Sequence, residues 1–151
     1  MLDGASAALE WLKYRRQVFW CGVETLAFEH QTPPEYFGLI AGLYAGFDQE
    51  ILREHVAALG LLPYLDKRLD ELSTGSQRKV ALAAALCAGT RVVLLDEPLA
   101  ALDSASVHHV REVLANAASS TTQAWIDTSH EDLGEAGTAA IAQLEVQCLP
   151  S

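Results

Sequence analysis

Residues 69–103, LDELSTGSQRKVALAAALCAGTRVVLLDEPLAALD, decide the fold of this chain. A hydroxyl-rich turn, Leu72–Lys79, stands directly before a helix-forming run of small and apolar residues. Val92–Leu95 is a short apolar run of the kind that a buried parallel strand shows. It ends in Asp96 and Glu97, and open α/β sheets place their ligands at this C-terminal end of a strand. The stretch therefore predicts a helix, a buried strand and an acidic site after it.

Helix and strand signals continue on both sides of this stretch. Thr32 to Glu35 has the capping-box pattern with proline in the first turn, which predicts a helix to about Tyr44. Asp48 is suited to cap a second helix through Leu59. The full set of predicted elements is a strand end at 2–4, strands at 17–21, 91–95, 123–126 and 139–146, helices at 5–14, 32–44, 48–59, 73–88, 103–118 and 131–136, and a turn at 127–130. This order implies a helical block, roughly residues 32–89, inserted into a parallel α/β sheet.

Composition limits the class of protein. With 151 residues, one domain with a proper core is expected. A net charge of −10 argues against a nucleic-acid surface, which needs a basic stripe. Cys21, Cys87 and Cys148 are scattered without metal-ligand spacing, which suits a reducing cytosol. The longest apolar stretch, Val80–Ala88, is too short to cross a bilayer. These features predict a soluble cytosolic protein with no nucleic-acid partner.

The order of motifs resembles the ATP-binding cassette (ABC) ATPases. The turn at Ser73 matches the signature motif, Val92–Glu97 matches the Walker B strand, and Leu102-Asp103 matches the D-loop; Asp96 follows Ser73 by 23 positions. The resemblance implies an α/β, P-loop NTPase (ABC ATPase-like) fold, with a partial parallel sheet and an inserted helical subdomain. It implies a single partial domain over residues 1–151, with the helical subdomain at about 32–89 and core portions at 1–31 and 90–151.

The signature turn is the first part of the implied site. In the family it covers the γ-phosphate of ATP held by the opposite subunit of a head-to-tail dimer. A helix N-terminus presents unpaired N–H groups and the positive end of the helix dipole. Ser73 adds a hydroxyl, and Gly75 lets the backbone approach a phosphate closely. The residues that the resemblance implies as ATP contacts are Ser73, Thr74, Gly75, Ser76, Gln77 and Asp103.

The acidic strand end is the second part of the implied site. By resemblance, Asp96 holds Mg²⁺, usually through a water, and Glu97 orients and deprotonates the attacking water. His130 matches the family's H-loop, a polar group that reaches the γ-phosphate after the next strand. Asp103 matches the D-loop, which crosses the dimer interface. The implied catalytic residues are thus Glu97 and His130, the metal ligand is Asp96, and the cofactors are ATP and Mg²⁺.

Structural interpretations compete with these functional ones. Ser73 could simply cap a core helix, and an N-cap role of Asp103 is compatible with its D-loop role. His108 and His109 lack a third ligand at useful spacing and are predicted to lie on a solvated helix face. Spacing at i, i+3, i+4 and i+7 in the signature helix indicates core packing at Val80, Ala83, Ala84 and Cys87.

Departures from the family pattern are as informative. The P-loop pattern G-x-x-x-x-G-K-[ST] does not occur, since Lys13, Lys67 and Lys79 do not follow such a frame. The resemblance therefore covers the chain from about Leu2 onward but only the later part of the family's domain. Gly22-Val23-Glu24 stand where the family usually carries its Q-loop glutamine. Milder departures are Thr74, Ser76 and Ala100, which replace a glycine, a glutamine and a serine.

The resemblance predicts the ATP-binding subunit of an ABC transporter, coupling ATP binding and hydrolysis to transport. Its expected partners are a membrane permease subunit and a second nucleotide-binding domain, which places it in the cytoplasm, peripheral on the inner face of the cell membrane. Without Walker A, the chain alone is expected to be deficient in hydrolysis. One alternative is a non-catalytic remnant that completes a partner's ATP site. Another is a genome-maintenance ATPase of the same superfamily, which the acidic charge and the lack of heptads disfavour.

Overall fold

The computed structural model describes residues 14–22, 28–117 and 122–128. Three strands and four helices of more than one turn form this part of the chain. The strands are β1 (Val18–Cys21), β2 (Val92–Asp96) and β3 (Ala124–Thr128), and the helices are α1 (Pro33–Leu43), α2 (Gln49–Ala58), α3 (Thr74–Cys87) and α4 (Ser104–Ala117). Two 3₁₀ turns, Leu62–Tyr64 and Leu69–Glu71, connect α2 to α3.

The three strands form one parallel sheet in the order β1-β2-β3. Val93 in the central strand pairs with Phe19 on one side and Trp125 on the other. Because parallel strands end at the same side of a sheet, the residues that follow β1 and β2 lie on the same side as Thr128, the last residue of β3. The predicted parallel sheet is confirmed, and its C-terminal edge is where the candidate site lies.

One face of the sheet carries an exposed apolar row. The register pairs Trp20 with Leu94 and Leu94 with Ile126, so the three side chains lie side by side. Trp20 is 66% exposed and Ile126 is 53% exposed. The opposite face, with Phe19, Cys21, Val93 and Leu95, belongs to the core.

Helix α3 lies at the centre of the core. Its second half is buried all round, with Val80, Leu82 and Ala83 each at 0% exposure. This agrees with the predicted core positions Val80, Ala83, Ala84 and Cys87. Helix α2 packs on α3, and α3 packs on β1. The inserted helices are thereby joined to the sheet through the signature helix.

The backbone at Gly46 contacts the backbone at Gly89, just after α3. A Cβ atom added at Gly46 would lie 2.7 Å from the carbonyl oxygen of Gly89. Gly89 has a φ of 61°, in the left-handed region that glycine adopts without a side-chain clash. The N–H of Asp48 donates to the carbonyl oxygen of Cys87 at 3.0 Å. The loop before α2 is therefore held against the end of α3 without intervening side chains.

Element boundaries largely follow the predicted caps. Asp48 accepts hydrogen bonds from the N–H groups of Glu50 and Ile51, at 2.8 and 3.0 Å, as an N-cap does. The N–H of Thr32 donates to the Glu35 carboxylate at 2.8 Å, which is one half of the predicted capping box.

Strand β3 extends beyond its predicted end at Ile126. The turn predicted to begin at Asp127 is wrong, because Asp127 and Thr128 pair with Leu95 and Asp96 and extend β3. The elements predicted at 2–4, 131–136 and 139–146 lie outside the described residues, and so does the 5–14 helix except for Tyr14. Within the described part of the chain, the helices are too short or too polar to span a membrane.

Candidate functional site

The signature turn begins α3 with Ser73 as its N-cap. The Ser73 hydroxyl accepts a hydrogen bond from the Ser76 N–H at 3.2 Å and lies 3.0 Å from the Ser76 hydroxyl. Ser73 and Thr74 are exposed to solvent. Gln77 points the other way, because its side-chain amide donates to the carbonyl oxygens of Leu69 and Leu72. The turn thus presents Ser73, Thr74 and the first helix N–H groups outward, while Gln77 braces it from behind.

Gly75 packs directly against the backbone that follows β2. A Cβ atom added at Gly75 would lie 2.6 Å from the carbonyl oxygen of Ala101. Ala101 itself has a φ of 60°, which is uncommon for a residue with a side chain. The sequence predicts close approach of a phosphate at Gly75; in the structure its missing side chain leaves room for the backbone carbonyl of Ala101.

Lys79 and Asp103 form an ion pair between α3 and the residue that caps α4. The Lys79 ammonium contacts one carboxylate oxygen of Asp103, and the other accepts from the Ser106 N–H at 2.9 Å. The hydrogen bond from Lys79, followed by that from the Ser106 N–H, holds the pKa of Asp103 well below its usual range. The N-cap geometry predicted for Asp103 is confirmed, and the carboxylate remains 55% exposed.

Asp96 and Glu97 stand at the C-terminal end of β2, as predicted. One Asp96 carboxylate oxygen accepts a hydrogen bond from the Thr128 hydroxyl at 2.6 Å. The Glu97 N–H donates to the Thr128 carbonyl oxygen at 2.8 Å. Glu97 has a φ of 49°, so the chain turns out of the strand at this residue. In a continuing strand the side chains of Asp96 and Glu97 would point to opposite faces of the sheet, and the left-handed turn at Glu97 interrupts this alternation.

Arg78 joins the signature helix to both strand ends. Its guanidinium donates to the carbonyl oxygens of Gly22 and Asp96, and to that of Glu97 at 2.8 Å. The residue is only 7% exposed. Buried arginines are rare unless their donors are paired, and here backbone carbonyls pair the two terminal nitrogens. The buried Nε of Arg78 has no hydrogen-bond partner among the described residues. Arg78 is not among the predicted site residues; the available signal is a pair of charged residues, Arg78 and Lys79, before the apolar run at Val80–Ala88.

The structure brings together most, but not all, of the predicted site. Ser73, Gly75, Asp96, Glu97 and Asp103 belong to one connected region through the contacts of Arg78, Lys79 and Ala101. His130 lies outside the described residues, as do Val23 and Glu24 of the Q-loop position. Over the described ranges, no three histidine, cysteine or acidic side chains gather as a metal cluster. Mg²⁺ keeps several waters and binds through one or two carboxylates plus phosphates. A single carboxylate such as that of Asp96 is therefore compatible with an Mg²⁺ site.

His109 differs from its predicted position on a solvated face. Its Nε2 lies 2.9 Å from Nδ1 of His55 on α2, and the two rings meet edge to face. His55 is 6% exposed, and burial, followed by the nearby His109, lowers its pKa from 6.5 to about 4. The prediction holds for His108, which is exposed and pairs with Glu112 on the same helix. For His109 it is wrong, because a residue 54 positions away covers it.

Comparison with known proteins identifies the family. The sequence profile of the family described as ABC transporter matches residues 3–100, more than half of the chain. The chain belongs to the ABC transporter family, in agreement with the resemblance carried by residues 69–103.

Relatives match this chain along parts of their own length. ATP-binding cassette sub-family A member 17 of Rattus norvegicus is 29% identical over 154 residues, which cover 97% of this chain and 9% of the relative. The bicarbonate transport ATP-binding protein CmpD of Synechococcus elongatus is 39% identical over 69 residues, 46% of this chain and 25% of the relative. The chain thus spans a quarter or less of the length of these relatives.

Solved structures show the fold. An ATP-binding subunit of an ABC transporter superposes with a TM-score of 0.73 at 21% identity, over 85% of this chain and 55% of that chain. A dimeric ATP-binding cassette in a post-hydrolysis state with ADP and Pi gives a TM-score of 0.62 at 22% identity, over 85% of this chain and 59% of that one. The predicted P-loop NTPase fold of the ABC ATPase type is confirmed.

Proposed function

We propose that this chain supplies the signature-motif and Walker B part of an ABC transporter ATPase. The observation that supports this most directly is the link between the two motifs: the helix that begins at Ser73 contacts the backbone of Asp96 and Glu97 through Arg78. A phosphate-facing helix N-terminus and an acidic strand end are thereby held in one rigid unit. The assignment of residues 32–89 as a helical subdomain belongs to this proposal.

In the proposed reaction, each residue has one task. Ser73, Thr74, Ser76 and the N–H groups around Gly75 hold the γ-phosphate of an ATP bound by a second nucleotide-binding domain. Asp96 holds Mg²⁺, and the Thr128 hydroxyl orients its carboxylate. Glu97 accepts a proton from the attacking water. Bound Mg²⁺ would offset the negative charge that develops on the phosphates.

The proposal gives three further residues roles outside the Mg²⁺ and water-activation steps. We assign Asp103 to the dimer interface and His130 to the γ-phosphate on the family pattern. Gln77 is assigned to bracing the turn, since its amide donates to the carbonyl oxygen of Leu69 at 2.8 Å.

The transporter role itself follows from the family and remains part of the proposal. A membrane permease subunit would dock on the helical part, which places the chain on the cytoplasmic face of a membrane. One relative is a bicarbonate transport protein and another is a macrolide export protein, so the relatives indicate no common substrate. The alternative of a non-catalytic module is favoured by one observation: the sequence contains no G-x-x-x-x-G-K-[ST] pattern to hold the β-phosphate.

The test compares the chain alone with the chain supplied with a P-loop. We expect calorimetric titration of the 151-residue chain with Mg-ATP to show weak binding or none. Fusion to a P-loop segment taken from a structural relative should confer ATP turnover, and Glu97→Gln should lower that turnover by roughly 10²-fold or more while ATP still binds. Turnover that hardly changes would assign the base to another residue. Fusions that bind ATP but never hydrolyse it would favour the non-catalytic alternative.

A further inference from the structure

Arg78 makes contacts that neither a core-packing role nor a phosphate-binding role requires. Its two terminal guanidinium nitrogens reach the carbonyl oxygens of Gly22 at the end of β1 and of Asp96 and Glu97 at the end of β2. The side chain starts from α3, so a single residue connects three elements. Its side chain is buried and reaches the strand ends, whereas Ser73 and Thr74 are exposed to solvent.

Glu97 has a backbone conformation that needs support from outside. A φ of 49° is costly for a residue with a side chain, because Cβ approaches the carbonyl oxygen. Such residues persist where their surroundings determine them from several sides. The N–H of Glu97 is held by the Thr128 carbonyl oxygen at 2.8 Å, and its carbonyl oxygen is held by Arg78 at 2.8 Å. The same carbonyl oxygen also accepts from the Ala100 N–H at 3.1 Å, which closes the turn toward the D-loop.

We propose that Arg78 is a positioning residue, which fixes the left-handed backbone of Glu97 relative to the signature helix. The direction of the Cα–Cβ bond of Glu97 follows from its backbone conformation, so the contact at its carbonyl oxygen acts on the side chain through the backbone. Because the same guanidinium binds Gly22, the position of the chain leaving β1 is set by the same helix. This inference rests on the proposed role of Glu97 as the base, whereas the backbone contact does not depend on that role.

Arginine is better suited to this contact than lysine or glutamine. Its planar fork offers five N–H donors in fixed directions, enough to serve carbonyl oxygens on two strands at once. A lysine ammonium at the same position can donate to some, but not all, of these carbonyl oxygens. A glutamine amide offers two donors on a shorter side chain. The three side chains therefore form a graded series for the test.

The experiment measures amide hydrogen exchange, residue by residue, in the unmodified 151-residue chain and its variants, without nucleotide. In Arg78→Gln we expect exchange at Glu97 and Ala100 to rise roughly tenfold, the scale of one lost hydrogen bond to a charged group. Exchange within Val80–Ala88 should rise much less. Arg78→Lys should restore part of the protection. Arg53→Gln, at an exposed position of α2, is the matched control and should leave Glu97 unchanged.

Two outcomes would overturn the inference. One is unchanged exchange at Glu97 in Arg78→Gln. The other is an equal rise in every helix and strand of Arg78→Gln and Arg78→Lys, which would mean that Arg78 only contributes to global stability. If Arg78→Gln does not fold, the local pattern in Arg78→Lys decides. Failure of Glu97→Gln to lower turnover would count against the proposed base while leaving the backbone contact intact, so the two failures are distinguishable.

Discussion

Gly75 and the carbonyl oxygen of Ala101 approach so closely that a Cβ atom at residue 75 would lie 2.6 Å from that oxygen. The contact joins the first turn of α3 to the backbone that follows β2. A backbone carbonyl cannot rotate away as the end of a flexible side chain can. Packing of the chain therefore requires glycine at residue 75, whether or not a phosphate binds there.

Gly75→Ala should therefore destabilise the fold. We expect a loss of roughly 1–3 kcal/mol, the usual cost of forcing extra volume into a packed contact. Gly38→Ala is the matched control, because Gly38 lies inside α1 with nothing within 4 Å of its added Cβ. That change should stabilise the protein by roughly 0.5–1 kcal/mol through helix propensity. Urea denaturation of the two variants measures both signs, and equal stabilities would contradict the close contact.

Lys79 and Asp103 should show a small but real coupling. The Asp103 carboxylate is half exposed, so solvent and salt screen the pair, and we expect a coupling of about 0.5–1 kcal/mol. A double-mutant cycle with Lys79→Met and Asp103→Asn measures it. The same cycle at about 1 M salt should give a lower value. Asp103→Ala should cost about 1 kcal/mol more than the coupling, because it also removes the N-cap of α4.

His55 should make the fold sensitive to acid. Burial lowers its pKa from the ordinary 6.5, which the unfolded chain keeps, to about 4 in the folded chain, so its contribution to stability is complete above pH 6.5. As pH falls from 6.5 toward 4, the unfolded chain takes up the proton first, and stability falls by at most about 1.4 kcal/mol per pH unit. Below pH 4 this contribution is lost.

Denaturation at about pH 7 and about pH 5, on either side of the unfolded pKa, tests the histidine pair. Wild type should lose more stability between these pH values than His55→Gln, which has no proton to gain at residue 55. His108→Gln is the matched control, since His108 is an exposed neighbour of His109 on α4. It should follow wild type. Parallel pH profiles for wild type and His55→Gln would rule out the buried, neutral state of His55.

The apolar row of Trp20, Leu94 and Ile126 should promote self-association of the isolated chain. Covering roughly 100 Å² of one such side chain is worth about 2.5 kcal/mol. Trp20→Thr and Ile126→Thr keep strand propensity while removing apolar surface, so both should shift sedimentation toward the monomer. Leu62→Thr is the control, because Leu62 is 60% exposed and belongs to a 3₁₀ turn and not to a strand. If all three variants and wild type sediment alike, the row does not drive association.

Local signals in the sequence are sufficient to predict most of the fold. The apolar run ending at Asp96 defines the central strand, and Asp48 defines the start of α2, because both signals act between neighbouring residues. The end of β3 escapes prediction for the opposite reason. Asp127 and Thr128 are polar, and only the pairing of Thr128 with Asp96 makes them strand.

The site is predictable as a set of motifs and less so as a set of contacts. Ser73, Glu97 and Asp103 are found from their order, which one sequence can show. The contacts of Arg78 with two strand ends and of His109 with His55 join residues far apart in the chain. The residues next to each other in the sequence carry no information about such distant pairs. From the sequence alone, Arg78 and His109 are therefore ordinary polar residues.

Burial around α3 has a mechanical consequence. Residues 80–88 are enclosed by neighbouring elements, and a close-packed interior leaves no room for a local bend. The helix of 14 residues is about 21 Å long and should behave as a stiff rod. Any displacement of Ser73 then requires the whole helix to rotate about its far end, where Gly89 crosses Gly46. We expect this glycine crossing, at the opposite end of the helix from Ser73, to act as the pivot that limits the movement of Ser73.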